Sequence, residues 1–438
     1  MIAFDRFFPA DDRAAAWLAA ATTLAAGGAA AIAGTGDDAL GGLLRRDGAS
    51  VFLTSVLCAG AAAAFAVKAG SAITIATGAR LAQMLVATAG GVLLIAAADL
   101  LLVFLSVEIV FMSVFTLIDA TLARRGRDAS RSWFLLCGTA SALLAAGVGL
   151  VWSVAGSFAI GSLALVTSPL GQTGIALVLV GLACFAGLVP FHLWLLPSLE
   201  ATPPPSALLI AIVPRVAAFT ALMRCASAIS ASGGSVIDWR ACMAVLAAGS
   251  LVAGSLGALR ETSLRRIVAQ LSIAFGGQIA VAAAAGVGSS AAIGVALLAY
   301  VIVVVGMIGL IALTAQEDPH LDDLRGLARR RPLVVTAVAI LAIGMAGLPP
   351  TIAFFARLAV FEGAAGSQLA WLVIVAAGAT VLTAASAFRI AFACFEAGEH
   401  RWPSRRITTG VVAFAALVAL AGGIAPGPWL QLAQGVRF

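Results

Sequence analysis

Five residues place charge or a titrating group inside apolar sequence: Glu108, His192, Glu200, Arg215 and Arg357. Glu108 sits in LLVFLSVEIVFMSVFTLI, with apolar residues on both sides for two helical turns. A carboxylate there must be neutralised, paired or hydrated, because desolvating a lone charge is costly. Carboxyl and imidazole groups can take up and release protons, whereas a guanidinium keeps its charge. The set therefore reads as a candidate proton relay, with Glu108, His192 and Glu200 titrating beside fixed charges at Arg215 and Arg357. Asp99, Asp119, Glu362 and Arg389 complete the charges within apolar stretches. Asp99 and Asp119 fall near expected helix ends, where capping or snorkelling accounts for them.

Other chemistry finds no support. There is no glycine-rich phosphate loop, no HExxH and no Ser/His/Asp constellation, so no catalytic residue is assigned. His192, His320 and His400 are too dispersed for a metal site. The six cysteines stand singly without a CxxC and read as small core residues. No cofactor is expected.

These residues must be positioned by membrane helices. The chain is 62% hydrophobic and only 11% charged, against roughly 25% charged in soluble domains. No cleavable leader is expected, since the first apolar run starts after Arg13. Runs long enough to span lie near 14–33, 50–68, 80–97, 99–121, 131–155, 172–197, 203–224, 239–258, 266–286, 289–314, 332–364, 366–394 and 407–425. That makes thirteen, with termini on opposite sides. An N-terminus in the cytoplasm puts most basic residues there, including Lys68, Arg80, Arg124, Arg125, Arg265, Arg325, Arg401 and Arg405. The same asymmetry explains the net charge of +6 without nucleic acid.

Two of the runs are interrupted. Pro190, Pro197 and Pro203 to Pro205 break one, and Gly347-Leu348-Pro349-Pro350 breaks another. Backbone groups freed inside a bilayer must be buried in protein or line a hydrated cavity. Breaks at matching places in two halves, with ionisable residues beside them, are the pattern of an internal repeat around an ion pathway.

The PFHLW segment with Glu200 and Pro203-Pro204-Pro205, followed one helix later by Arg215, resembles the antiporter-like membrane subunits of respiratory complex I and of Mrp-type cation/proton antiporters. Asp99-Leu100 with Glu108, Leu264-Arg265-Arg266 through Ala274, Leu324-Arg325-Gly326-Leu327 through Pro332, and Ala346 through Phe354 extend the likeness over about 300 residues, most of all to the subunit N branch. That branch commonly has fourteen spans, and from the thirteen runs the first is expected to be absent here.

The resemblance implies an all-α fold of two inverted five-helix repeats, each with a broken helix. Residues 80–224 and 239–394 hold the repeats and 407–425 a last helix. It implies proton movement driven by quinone reduction, with no redox centre in this chain. The partners would be other membrane subunits and the lipid bilayer, with quinone met only through neighbouring subunits, in the cell inner membrane. Glu108 matches the family glutamate, and His192 the histidine beside the break. The family's lysines are replaced: Ser132, Phe185, Arg215 and Arg357 stand at their positions. A buried lysine can release its proton, and an arginine holds it. Arg215 remains a candidate partner for Glu108, and a stretch without titratable side chains is expected near Phe185 and Ser132. A Mrp-type antiporter subunit, or a non-pumping subunit of a hydrogenase-like complex, is the alternative.

Overall fold

The computed structural model describes residues 12–71, 77–120, 124–231, 238–398, 402–403 and 405–438. His400 and Arg401 lie outside them. Among the described residues the chain is built from helices, of which eleven are long and apolar enough to cross a membrane. They are α1 (Asp12–Ala33), α2 (Gly48–Ala69), α3 (Thr77–Ala96), α4 (Leu100–Asp119) and α5 (Arg124–Ala155), then α8 (Pro204–Ser230), α9 (Trp239–Arg260), α10 (Leu264–Ala285) and α11 (Ser290–Thr314), then α14 (Ala370–Ala393) and α15 (Arg406–Ile424). Two further crossings are broken. One is α6 (Pro169–Phe185) with α7 (Leu195–Ala201), the other α12 (Pro332–Ala346) with α13 (Ile352–Gly366). The total is the expected thirteen, and a short α16 (Pro426–Gln434) follows.

Local chemistry sets where the helices start. Asp47, Asp99, Ser168 and Asp238 each turn a side-chain oxygen onto free N–H groups of the first turn, at α2, α4, α6 and α9. Pro169, Pro204 and Pro332 occupy first-turn positions, where a missing N–H costs nothing.

The crossings fall into two sets of five, α3 to α8 and α9 to α14, each with its broken helix fourth. Five is odd, so the second set starts on the membrane face where the first ended. The two sets are therefore inverted, as the resemblance implies. At the centre stand α8, α10 and α11, buried along nearly their whole length, while α1, α14 and α15 turn apolar surface outward. That outward surface suits lipid, which attracts leucine and phenylalanine as readily as a protein core does.

Candidate functional site

The first break begins where α6 ends. Ala186 closes the helix and Gly187 follows with φ +71°, a left-handed turn that a side chain would strain. A cis Val189–Pro190 bond and a short 3₁₀ segment, Phe191–Trp194, then lead into α7. The freed backbone groups find protein partners, as burial in a bilayer demands. Arg215 on α8 donates from Nε to the Ala186 carbonyl at 3.0 Å and from Nη1 to the Ser272 carbonyl of α10 at 2.5 Å. Ser250 Oγ accepts from the Val189 N–H at 2.9 Å, and Trp194 Nε1 donates to the Cys184 carbonyl at 2.9 Å. The Arg215 guanidinium also lies 4.9 Å above the Tyr300 ring. Tyr300 in turn donates its hydroxyl to the Ala211 carbonyl at 2.9 Å, one residue beyond the Ile210 carbonyl that Pro214 leaves without its helical donor.

The second break repeats the design in outline. Ala346 ends α12, Gly347 has φ +63°, and Pro349–Pro350 is cis. Arg357 donates from Nη1 to the Ala346 carbonyl at 2.5 Å. Each broken helix thus ends at an alanine carbonyl that a buried arginine caps, and the partial negative charge of a helix C-terminus favours a cation there. Beside Arg357 a cavity of about 10 Å³ is bounded by Gln278, Thr380 and Thr383. It is about the size of one water. Arg357 Nε and Gln278 Nε2 are buried there without a protein partner among the described residues, as are Arg215 Nη2, Ser272 Oγ and His192 Nδ1 nearer the first break.

Glu108 is half-buried on α4, and its partner is the Ser141 hydroxyl of α5. Neither it nor Arg215 forms an ion pair among the described residues, so the arginine expected as a candidate partner is engaged with carbonyls instead. The α5 face that holds Ser141 continues through Cys137 to Trp133, at steps of four residues. Trp133 meets Phe111, Phe185 and Trp194, at centroid distances of 6.3, 6.1 and 4.7 Å. Its indole N–H is held by the Phe111 carbonyl at 3.0 Å. An aromatic partition thus occupies the place where the sequence anticipated a stretch without titratable groups.

Glu200 lies at the end of α7, 3.4 Å from Arg266, and lines a cavity of about 480 Å³ at the arginine-rich face. Asp119 closes α4 and is exposed, in keeping with its place at a helix end, and accepts from Ser130; Glu362, which lies in an apolar stretch of the sequence, is exposed near the C-terminal end of α13. Asp99 is the N-cap of α4, as expected. Arg389 ties α14 to the carbonyls of Ala258, Leu259 and Glu261. Arg80, Arg224 and Arg265 are buried although the sequence placed them in or beside loops. Arg224 grips the Asp47 carboxylate with two bonds of 2.7 and 2.8 Å. Each lies within a turn or two of a helix end, where sequence cannot tell a snorkelling arginine from an enclosed one.

Residues 97–383 match the family model described as NADH:quinone oxidoreductase/Mrp antiporter, TM. The chain belongs to this family. Within it, the chain is 32% identical over 377 residues to NADH-quinone oxidoreductase subunit N 2 of Roseiflexus castenholzii, covering 81% of this chain and 75% of that one. It is 30% identical over 309 residues to subunit N of Thiobacillus denitrificans, covering 67% of this chain and 62% of the relative. Among solved structures, a chain of respiratory complex I from Thermus thermophilus with bound aureothin superposes with a TM-score of 0.85 at 27% identity, over 98% of this chain and 96% of that one. A chain of the Mrp complex from Dietzia sp. shares the fold with a TM-score of 0.84 at 22% identity, over 98% of this chain and 92% of that one. The family fold of a multi-pass, all-helical antiporter-like subunit, anticipated from PFHLW and the paired breaks, is therefore the fold of this chain.

Proposed function

We propose that the chain is an antiporter-like, proton-translocating membrane subunit of a complex I-like NADH-quinone oxidoreductase in the bacterial inner membrane. Its partners are the other membrane subunits. Electron transfer to quinone takes place in those neighbours, and this chain moves protons in response. The observation that carries the reading is the pair of helix breaks, each ending at a carbonyl capped by a buried arginine and bordered by orphaned polar atoms. Irregular backbone at membrane depth, held by protein and next to a polar line, is what an ion path requires.

In this mechanism Glu108, His192 and Glu200 exchange protons, and Arg215 and Arg357 supply fixed positive charge. A guanidinium disfavours a second positive charge nearby, so movement of a neighbouring charge can push a proton off His192 without Arg215 titrating. Gln278, Thr380 and Thr383 can order water next to Arg357, extending the line through the second half. The aromatic cluster of Trp133, Phe185 and Trp194 offers no group that exchanges protons, so transfer past it needs water to enter.

The test is the proton-to-electron stoichiometry of the reconstituted complex carrying Glu108→Gln. A fall in stoichiometry with normal assembly is expected. An unchanged stoichiometry would reduce the chain to a spacer in the membrane arm. The subunit N relatives favour this reading over the Mrp-type alternative, whose support is the shared fold.

A further inference from the structure

The cavity of about 480 Å³ at the arginine-rich face has a charge arrangement that proton conduction does not explain. Its volume lies within the roughly 300–1,000 Å³ of small-molecule sites. It is bounded by the ends of α2, α4, α7 and α11, the starts of α3, α5, α8 and α10, and the approach to α15. Four guanidinium groups line it, from Arg80, Arg125, Arg265 and Arg405, together with Glu200 and Glu317.

Most of the negative charge around the cavity is already engaged. Glu200 lies against Arg266, and Asp318 accepts from Arg125 at 3.3 Å and from Ser263 at 2.8 Å. Glu317 is exposed. Among the described residues the other three arginines hydrogen-bond only to backbone: Arg80 to the Ala120 carbonyl, Arg265 to the Leu199 and Thr202 carbonyls, and Arg405 to the Ala312 carbonyl. None has a carboxylate within ion-pairing distance among the described residues. Arg80 and Arg265 are more than nine-tenths buried, and the Nε of each has no hydrogen-bond partner among the described residues. Burying guanidinium groups without counter-ions is costly. Their carbonyl anchors hold them in place; Asp318, Glu200 and Glu317 act on Arg265 from beyond ion-pairing distance, and among the described residues no carboxylate offsets the burial of Arg80 and Arg405.

We propose that this cavity binds a phosphate group, carried by an anionic phospholipid headgroup or by free phosphate. Guanidinium forks match phosphate oxygens in pairs, and basic pockets between membrane helices on the cytoplasmic side hold anionic headgroups. The excess of arginine on this face assigns it to the cytoplasm. The site borders Glu200 without using it as a ligand, since a carboxylate repels phosphate.

Thermal unfolding of the delipidated full-length chain in detergent, at constant ionic strength, tests the site. The probes are inorganic phosphate, a short-chain phosphatidylglycerol and, as control, the matching phosphatidylcholine. A ligand that binds only the folded chain raises the melting temperature saturably. A saturable rise with phosphatidylglycerol alone identifies the lipid as the source, a rise with phosphate alone identifies the free anion, and a rise with both identifies a site for the shared group. Arg80→Gln or Arg405→Gln should move the titration midpoint about fivefold each, and Arg329→Gln, exposed outside the cavity, should leave it in place. The wild-type titration decides the matter even where a variant folds poorly. No saturable rise with phosphate or phosphatidylglycerol, an equal rise with phosphatidylcholine, or an equal loss in Arg329→Gln would overturn the proposal.

Discussion

The two broken helices begin alike and are secured differently. Both end in Ala-Gly-Leu, both turn through a left-handed glycine, and both offer the alanine carbonyl to an arginine. At the first break the arginine comes from another helix: Arg215 on α8 joins α6 to α10 and stacks on Tyr300 of α11. At the second it comes from the second half of the same broken crossing, since Arg357 lies on α13. Arg215 thus ties three central helices to the break. Arg357 closes a local loop, keeps an Nε without a partner among the described residues, and shares a cavity with Gln278 and the threonines of α14. The same cap can serve as a structural anchor in one half and as the wall of a water-sized niche in the other.

The sharpest way to break that contrast is to remove both guanidiniums in turn. Arg215→Met should destabilise the chain by about 3 kcal/mol, because it leaves two buried carbonyls and the end of α6 without a donor. Arg357→Met should cost about 1–2 kcal/mol, losing one carbonyl bond. Thermal unfolding of the two variants should show that order, and equal losses would remove the distinction.

The glycines give the next largest effect. A methyl group at Gly347 would run into the Arg357 guanidinium, whereas at Gly187 its nearest atom would be Arg215 Nη2 at 3.0 Å. Both positions also carry the left-handed penalty of about 1 kcal/mol. Gly347→Ala is therefore expected to cost about 2 kcal/mol and Gly187→Ala about 1 kcal/mol, checked by the same melts.

Thr383→Val should leave stability within about 0.5–1 kcal/mol while lowering proton translocation in the reconstituted complex, because it removes a hydroxyl from the niche by Arg357. Normal translocation in that variant would leave the niche without a role in conduction.

The smallest effect concerns the contact that joins the two halves at the arginine-rich face. Asp318 lies between Arg125 of α5 and Ser263 before α10. Burial alone would raise its carboxyl, but the hydrogen bonds from Ser263 and Arg125 outweigh it and hold the group below its ordinary value of 3.8. A depressed value means the contact stabilises fully above 3.8 and is lost as pH falls below that, through the folded-state value. The amide protection factors in 316–331, corrected for intrinsic exchange at each pH, should fall over that acid range, and Asp318→Asn should abolish that part of the pH dependence.

Much of this was legible in the sequence, for identifiable reasons. A bilayer tolerates few charges and no unpaired backbone, so apolar run length counted thirteen crossings and the prolines marked both breaks. Glu108 and Asp99 declared themselves by cost and by position, and PFHLW with the paired breaks carried the family. Charges near helix ends were not legible in the same way. Glu362 lay in an apolar stretch and is exposed, while Arg80 and Arg265 counted among the loop cations and are buried. Whether such a side chain meets water or a neighbouring helix depends on packing by segments far away in the chain. The sequence by itself determined the membrane class, the crossings, the breaks and the loss of the family's lysines. Only the tertiary structure decided that Arg215 and Arg357 cap the broken helices, that Ser141 rather than an arginine meets Glu108, and that arginines from several helix ends converge on one cavity. Those pairings join residues up to well over a hundred positions apart, and no local rule of spacing or propensity reaches across that distance.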